Sequence, residues 1–180
     1  IMLVVGMNYA ALSSVSREGQ NFYMLKTLPV NFKTQARAKI LIADSILIMG
    51  IVLSSIAIAA MLKVNILQVI LFMGFGLILG DGFNKLMLYF DAKNPKLDWD
   101  NIVMAIKNGK GALITIFSSM GIGIAFMVSY IIVQTLMPSN ILFIGYLIMW
   151  AVFYGLAIGL NYWFKKLCDD NVERLIAEYE

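Results

Sequence analysis

The sequence contains no histidine and a single cysteine, Cys168. A disulfide within the chain is therefore excluded, and so is a metal site built from histidine and cysteine. Without histidine there is no Ser-His or Cys-His nucleophile arrangement. Charge is scarce: 14% of the 180 residues are Asp, Glu, Lys or Arg, against about a quarter in a soluble domain. No low-complexity tract and no sequence repeat is present. A nucleotide-cradling loop is missing too. Gly109-Lys110-Gly111 lacks both the earlier glycine and the following Ser or Thr of the Walker pattern. The chain is thus not expected to hydrolyse ATP or to act as an enzyme, and no cofactor or metal is expected in it.

What the chain has is apolar surface. Hydrophobic residues make up 61% and mean hydropathy is +0.82. They fall in long runs separated by short charged stretches, which is the pattern of a polytopic membrane protein. The expected fold is all-α: a polytopic bundle of transmembrane helices, with four complete spans and one truncated N-terminal span. The chain begins at Ile1 inside an apolar stretch, without a basic leader and small-residue cleavage site. Residues 1–16 are read as the end of a transmembrane helix that starts upstream, and the chain as the C-terminal part of a longer protein.

Residues 17–39 differ in kind. Arg17, Lys26, Lys33, Arg37 and Lys39 stand against one acid, Glu18, with Phe22, Tyr23, Leu25 and Leu28 interleaved. Pro29 disfavours a helical Leu28. The segment reads as a short amphipathic helix, a break at Pro29 and Val30, and a second helix capped by Asn31 that runs into the membrane. Four spans follow, 40–62, 66–90, 111–137 and 141–164, together forming a bundle over 40–164. Lys63–Asn65 and Pro138–Asn140 make tight turns. A polar loop, 91–110, holds Pro95 and Trp99, and Val103 and Ile106 suit one or two amphipathic turns. Trp163, Lys165 and Lys166 mark an interfacial anchor and a charged stop. Residues 165–180 then form a tail expected to be a short surface helix.

On this count, segment 17–39, loop 91–110 and the tail share one side. That side carries twelve of the fourteen Lys and Arg residues. The excess assigns it to the cytoplasm, and the expected location is a cell membrane crossed several times.

Several residues stand out within the spans. Asp81 and Lys85 lie one helical turn apart and can pair on one face. They make either a structural ion pair at the membrane edge, with Lys85 snorkelling, or a polar patch at the mouth of a path. Asp44 is read as interfacial or paired with a neighbouring base. Gly76-x-x-x-Gly80 and Gly155-x-x-x-Gly159 are spaced for close helix approach, as are Gly121 and Gly123. Asp169-Asp170-Asn171 reads as a solvated helix start rather than a metal site. Basic residues near Tyr23 abut a span, which points to membrane and not to nucleic acid.

A family pattern is also visible. Ser16-Arg17-Glu18-Gly19, Leu25-Lys26-Thr27-Leu28-Pro29-Val30 and Ala38-Lys39-Ile40-Leu41 together resemble a stretch between the second and third helices of ABC exporter permeases of the second type. Its elements are an acid-Gly pair, Leu-x-x-x-Pro, and a Lys where the third helix begins. Asn94-Pro95-Lys96-Leu97-Asp98-Trp99 resembles a loop from one bacterial branch, which places the chain in a bacterial inner membrane. The resemblance covers the whole chain in topology and about twenty-five residues in motif. It implies that 1–15 ends the second helix and that the four spans are helices three to six.

It also implies that 17–39 contains a coupling helix, which docks on a separate ATPase subunit. Arg17, Glu18, Gly19, Phe22, Lys26, Leu28 and Pro29 would belong to that contact. Phe22, Tyr23 and Leu25 would fill a groove in the partner, with Arg17 and Lys26 on its rim. ATP and Mg would be held by the ATPase, and the second permease half would be another chain or a second copy. The alternative for 17–39 is an interfacial helix lying in the lipid headgroups. The family often inserts re-entrant helices between its last two spans. Pro138-Ser139-Asn140 leaves no room for them, so no substrate class follows.

The expected function is the permease component of an ATP-driven exporter working by alternating access. Its rivals are an ion-coupled secondary transporter and a non-transporting membrane scaffold. The first needs polar groups near mid-membrane, where the spans offer Asn8, Gln68, Gln134 and small hydroxyls.

Overall fold

The structure, a computed structural model, describes residues 1–22, 27, 29–62, 65–95 and 110–177. Two short helices open it, α1 (Met2–Gly6) and α2 (Tyr9–Leu12), followed by a 3₁₀ segment over Ser16–Phe22. Four long helices come next: α3 (Phe32–Leu62), α4 (Ile66–Lys93), α5 (Lys110–Leu136) and α6 (Leu142–Ala177). Among the described residues there is no strand. The fold is all-α, and four helices are long and apolar enough to cross a membrane: Lys33–Met61, Ile66–Lys93, Gly111–Leu136 and Leu142–Asn171.

α4 is the hub. Phe75, Leu79, Phe83 and Met87 recur every four residues and are all fully buried, so one stripe of the helix faces inward. Phe75 meets Phe126, Trp150 and Phe153 through ring contacts with centroids 6.1–6.5 Å apart. Leu47 and Ile51 of α3 and Val5 of α1 close the same core. The outside is apolar as well. Leu41, Met49, Met61, Phe117, Phe143 and Val152 are each more than 60% exposed, which suits a bundle whose solvent is lipid.

Two boundaries differ from the expectation. Residues 1–15 are not the end of one helix, because the chain breaks at Met7 and Asn8. The Asn8 amide reaches sideways to Ala43 O at 2.8 Å and Asn84 Oδ1 at 3.0 Å, and asparagine holds a helix weakly. α6 does not stop near Phe164 but continues as one helix of 36 residues into the charged tail. Nothing between Lys165 and Ala177 is Gly or Pro, so no local signal ends it once it leaves the apolar run.

The two glycine pairs separate. A Cβ on Gly76 would meet Ile1 Cγ2 at 2.8 Å and Ile51 Cδ1 at 3.3 Å, and one on Gly80 would meet Leu47. Those two therefore let α3 approach α4. Gly155 and Gly159, like Gly121, face open space among the described residues, so the expectation that they pack helices is not met there. Gly82 does that work between α4 and α6: its Cβ would stand 3.0 Å from the Asn161 Cα. Backbone cannot yield as a side-chain tip can. Gly82→Val should thus destabilise by about 1–3 kcal/mol through overpacking, while Gly155→Val should be neutral. Cys168 is buried on α6, 3% exposed, and is the only cysteine. Its labelling by a thiol-reactive dye during heating in detergent reads the difference directly.

Candidate functional site

The candidate site is the end of the bundle where the 3₁₀ segment meets α3 and α4. It begins with an acid. Asp91 lies in the last turn of α4 and is buried. Its Oδ2 accepts from the Val15 N–H at 2.5 Å and the Ser16 N–H at 3.1 Å, and its Oδ1 accepts from the Ser16 hydroxyl. A carboxylate taking N–H groups where a helical segment starts acts as a cap, supplied here from another helix. Asp91 thereby ties the start of the Ser16–Phe22 segment to α4.

The next turn carries the acid-Gly pair. Gly19 has φ 51° and ψ −129°, a conformation closed to side chains with a Cβ. The chain reverses there without strain. Glu18, just before it, accepts from Lys39 Nζ at 2.7 Å, and the same ammonium donates to Ser14 O at 2.5 Å. Lys39 sits in the second turn of α3. The acid and the lysine of the sequence pattern, 21 residues apart, thus form one ion pair. Arg17 is exposed, yet its Nε donates to Ser13 O at 3.2 Å and its Nη2 to Ala10 O at 3.0 Å. Its guanidinium stitches the break between α2 and the 3₁₀ segment together.

Phe22 ends the 3₁₀ segment. Pro29 and Val30 form an exposed bend, and Asn31 caps α3 by accepting from Lys33 N–H at 3.0 Å, as its residue type suggested. Lys26 and Leu28, with Tyr23 and Leu25, lie outside the described residues, as do the turn at Lys63, Trp99, the turns read over 102–106 and residues 178–180.

A second polar group lies deeper. Asn84, fully buried, donates to Asp44 Oδ1 at 2.8 Å and accepts from Asn8. This chain joins α3, α4 and the α1–α2 break. Beside this group on α4, Lys85 Nζ pairs with Asp81 Oδ2 at 2.5 Å, as the i, i+4 spacing implied, and donates to Asn161 Oδ1 at 3.2 Å. Asn161 returns two hydrogen bonds of 2.7 Å, to Asp81 Oδ2 and Ile78 O. Buried amides in an apolar medium are costly unless paired, so these contacts fix the mutual rotation of α3, α4 and α6.

No family model, curated protein or solved structure matches this chain. Among the described residues, no group of three His, Cys, Asp or Glu side chains could hold a metal ion. The Asp91 cap, the Glu18–Lys39 pair and the Asp81–Lys85 pair brace this end of the bundle.

Asp91, Asn161 and the pairing role of Lys39 were not evident from sequence. Asp91 reads as the first residue of a loop. Asn161 carries a signal, being an amide near the end of an apolar run. The partner of Asp91 lies 75 residues away, a distance that no local pattern spans.

Proposed function

We propose that this chain is the membrane-spanning permease part of an ATP-driven exporter, with residues 17–39 as the element that receives motion from a separate ATPase subunit. One observation carries the reading: the start of the 3₁₀ segment and the turn two residues on are fastened to different helices. Asp91 holds its start to α4, and the Glu18–Lys39 pair holds its turn to α3. A push on such a segment acts on two spans together. α3 is continuous from Phe32 to Leu62, so displacement at its basic end carries across the membrane. The ATPase would bind ATP and Mg, and a second permease half would complete the pathway. The basic end would face the cytoplasm, in agreement with the charge count.

The test is co-purification. The chain, expressed from its native gene in its native cell, is captured together with any ATPase subunit. The comparison variant is Lys26→Glu with Phe22→Ala, which leaves the Arg17, Glu18 and Asp91 contacts in place. Recovery of an ATPase with the parent, reduced about tenfold or more in the variant at equal membrane insertion, is the expected result, a loss of about 1.4 kcal/mol. Absence of any ATPase from the parent capture overturns the proposal and returns 17–39 to an interfacial role in an ion-coupled transporter or scaffold.

A further inference from the structure

A cleft of about 290 Å³ opens between α3, α4 and α6 at the basic end of the bundle. Three helix faces converge on it. α3 contributes Arg37 and Asp44, α4 contributes Asp81 and Lys85, and α6 contributes Lys165 and Asp169. The lining charges are three positive and three negative, so they sum to zero.

The charges divide by partner. Lys85 and Asp81 satisfy each other, and Asp44 takes the Asn84 amide. Arg37, Lys165 and Asp169 have no hydrogen-bond or ion-pair partner among the described residues. They also occupy the rim. α3 and α6 run in opposite senses, and Arg37 lies two turns closer to the basic end than Asp44. Asp169 is one turn beyond Lys165 on the same face, about 6 Å further out. Below the rim, Leu41 lines the cleft and is 66% exposed, offering an apolar wall at the depth of acyl chains.

We propose that this cleft holds the head group of a zwitterionic phospholipid bearing a primary amine, with phosphate between Arg37 and Lys165 and ammonium at Asp169. The order matches a lipid in the leaflet, where the amine lies at or beyond the phosphate and the chains run inward past Leu41. An anionic head group brings no cation to answer Asp169, the acid of the cleft that is unpaired among the described residues. A quaternary amine has no N–H to give Asp169, whereas a primary ammonium has three donors. The site does not depend on the exporter reading.

The experiment is native mass spectrometry of the delipidated protein, titrated with phosphatidylethanolamine, phosphatidylcholine and phosphatidylglycerol of identical chains. Phosphatidylethanolamine should bind about tenfold tighter than either of the others, the scale of one charge-assisted contact. Asp169→Asn should erase its advantage over phosphatidylcholine, and Arg37→Ala with Lys165→Ala should weaken both zwitterionic lipids. The swap Lys165→Asp with Asp169→Lys keeps the net charge and should also lose the preference, with thermal melting followed by circular dichroism as the folding control. Equal binding of the three lipids, or preference for phosphatidylglycerol, overturns the proposal. Free phosphoethanolamine binding as tightly as the lipid overturns it as well, because the site would then serve a soluble ligand.

Discussion

Lys85→Met should lower stability by roughly 2 kcal/mol, below the value for a fully buried ion pair because the Asp81 side chain is 34% exposed. The Lys85 side chain is 14% exposed and its ammonium bridges Asp81 and Asn161. Its removal leaves the part-buried Asp81 carboxylate close to Asp44, with the Asn161 amide as its one remaining donor among the described residues. The double variant Lys85→Met with Asp81→Asn removes both charges and should recover to within about 1 kcal/mol of the parent. Comparison of the single and double variants in denaturing-detergent titrations checks this. Equal stability of Lys85→Met and the parent would mean that water already screens the pair, and the cleft at the basic end would then be far wetter than its burial implies.

Asp91→Ala should act on a different part of the molecule. The carboxylate accepts three hydrogen bonds from Val15 and Ser16. Charge-assisted bonds contribute about 1.5–3 kcal/mol each and do not add simply, so a net loss of about 3 kcal/mol is expected locally. The 3₁₀ segment should detach from α4 while the spans stay folded. Arg17, exposed in that segment, then becomes a protease site. Cleavage from a locally opened state follows the opening equilibrium, so trypsin should cut after Arg17 about a hundredfold faster in the variant. Asp91→Asn retains one acceptor and should fall between. An unchanged cleavage rate would show that the segment is held by something other than this cap. In sealed vesicles, the side from which trypsin cuts also reports which face of the membrane carries the basic end.

The four long helices were legible because a bilayer imposes its thickness on the sequence. Apolar runs bounded by charges permit little else. Asn31 was readable as a cap for a local reason, since it accepts from the N–H two residues on, at 3.0 Å; Asn65, read only as part of a turn, caps α4 in the same way. The Asp81–Lys85 pair was readable for the same reason. What failed was whatever depends on the direction a face is turned. Gly76/Gly80 and Gly155/Gly159 have identical spacing, yet the first pair admits α3 and the second faces open space among the described residues. The break at Asn8 was hidden because its cause, Asn84, lies 76 residues away. The tail was misjudged because Lys165 and Lys166 mark where the apolar run ends, and an apolar run can end while the helix continues.

That last point has a mechanical consequence. At 1.5 Å per residue, α6 is about 54 Å long, against roughly 30 Å of hydrocarbon. It is held against α4 where Gly82 lies beside Asn161, and the helix runs on for sixteen residues past that contact. A tilt of about 10° about the middle of the span displaces the far end of the helix by roughly 6 Å. Small rearrangements of packed spans are thus geared up into movements large enough for another molecule to sense, and a force applied to that end is geared down into the membrane with corresponding gain.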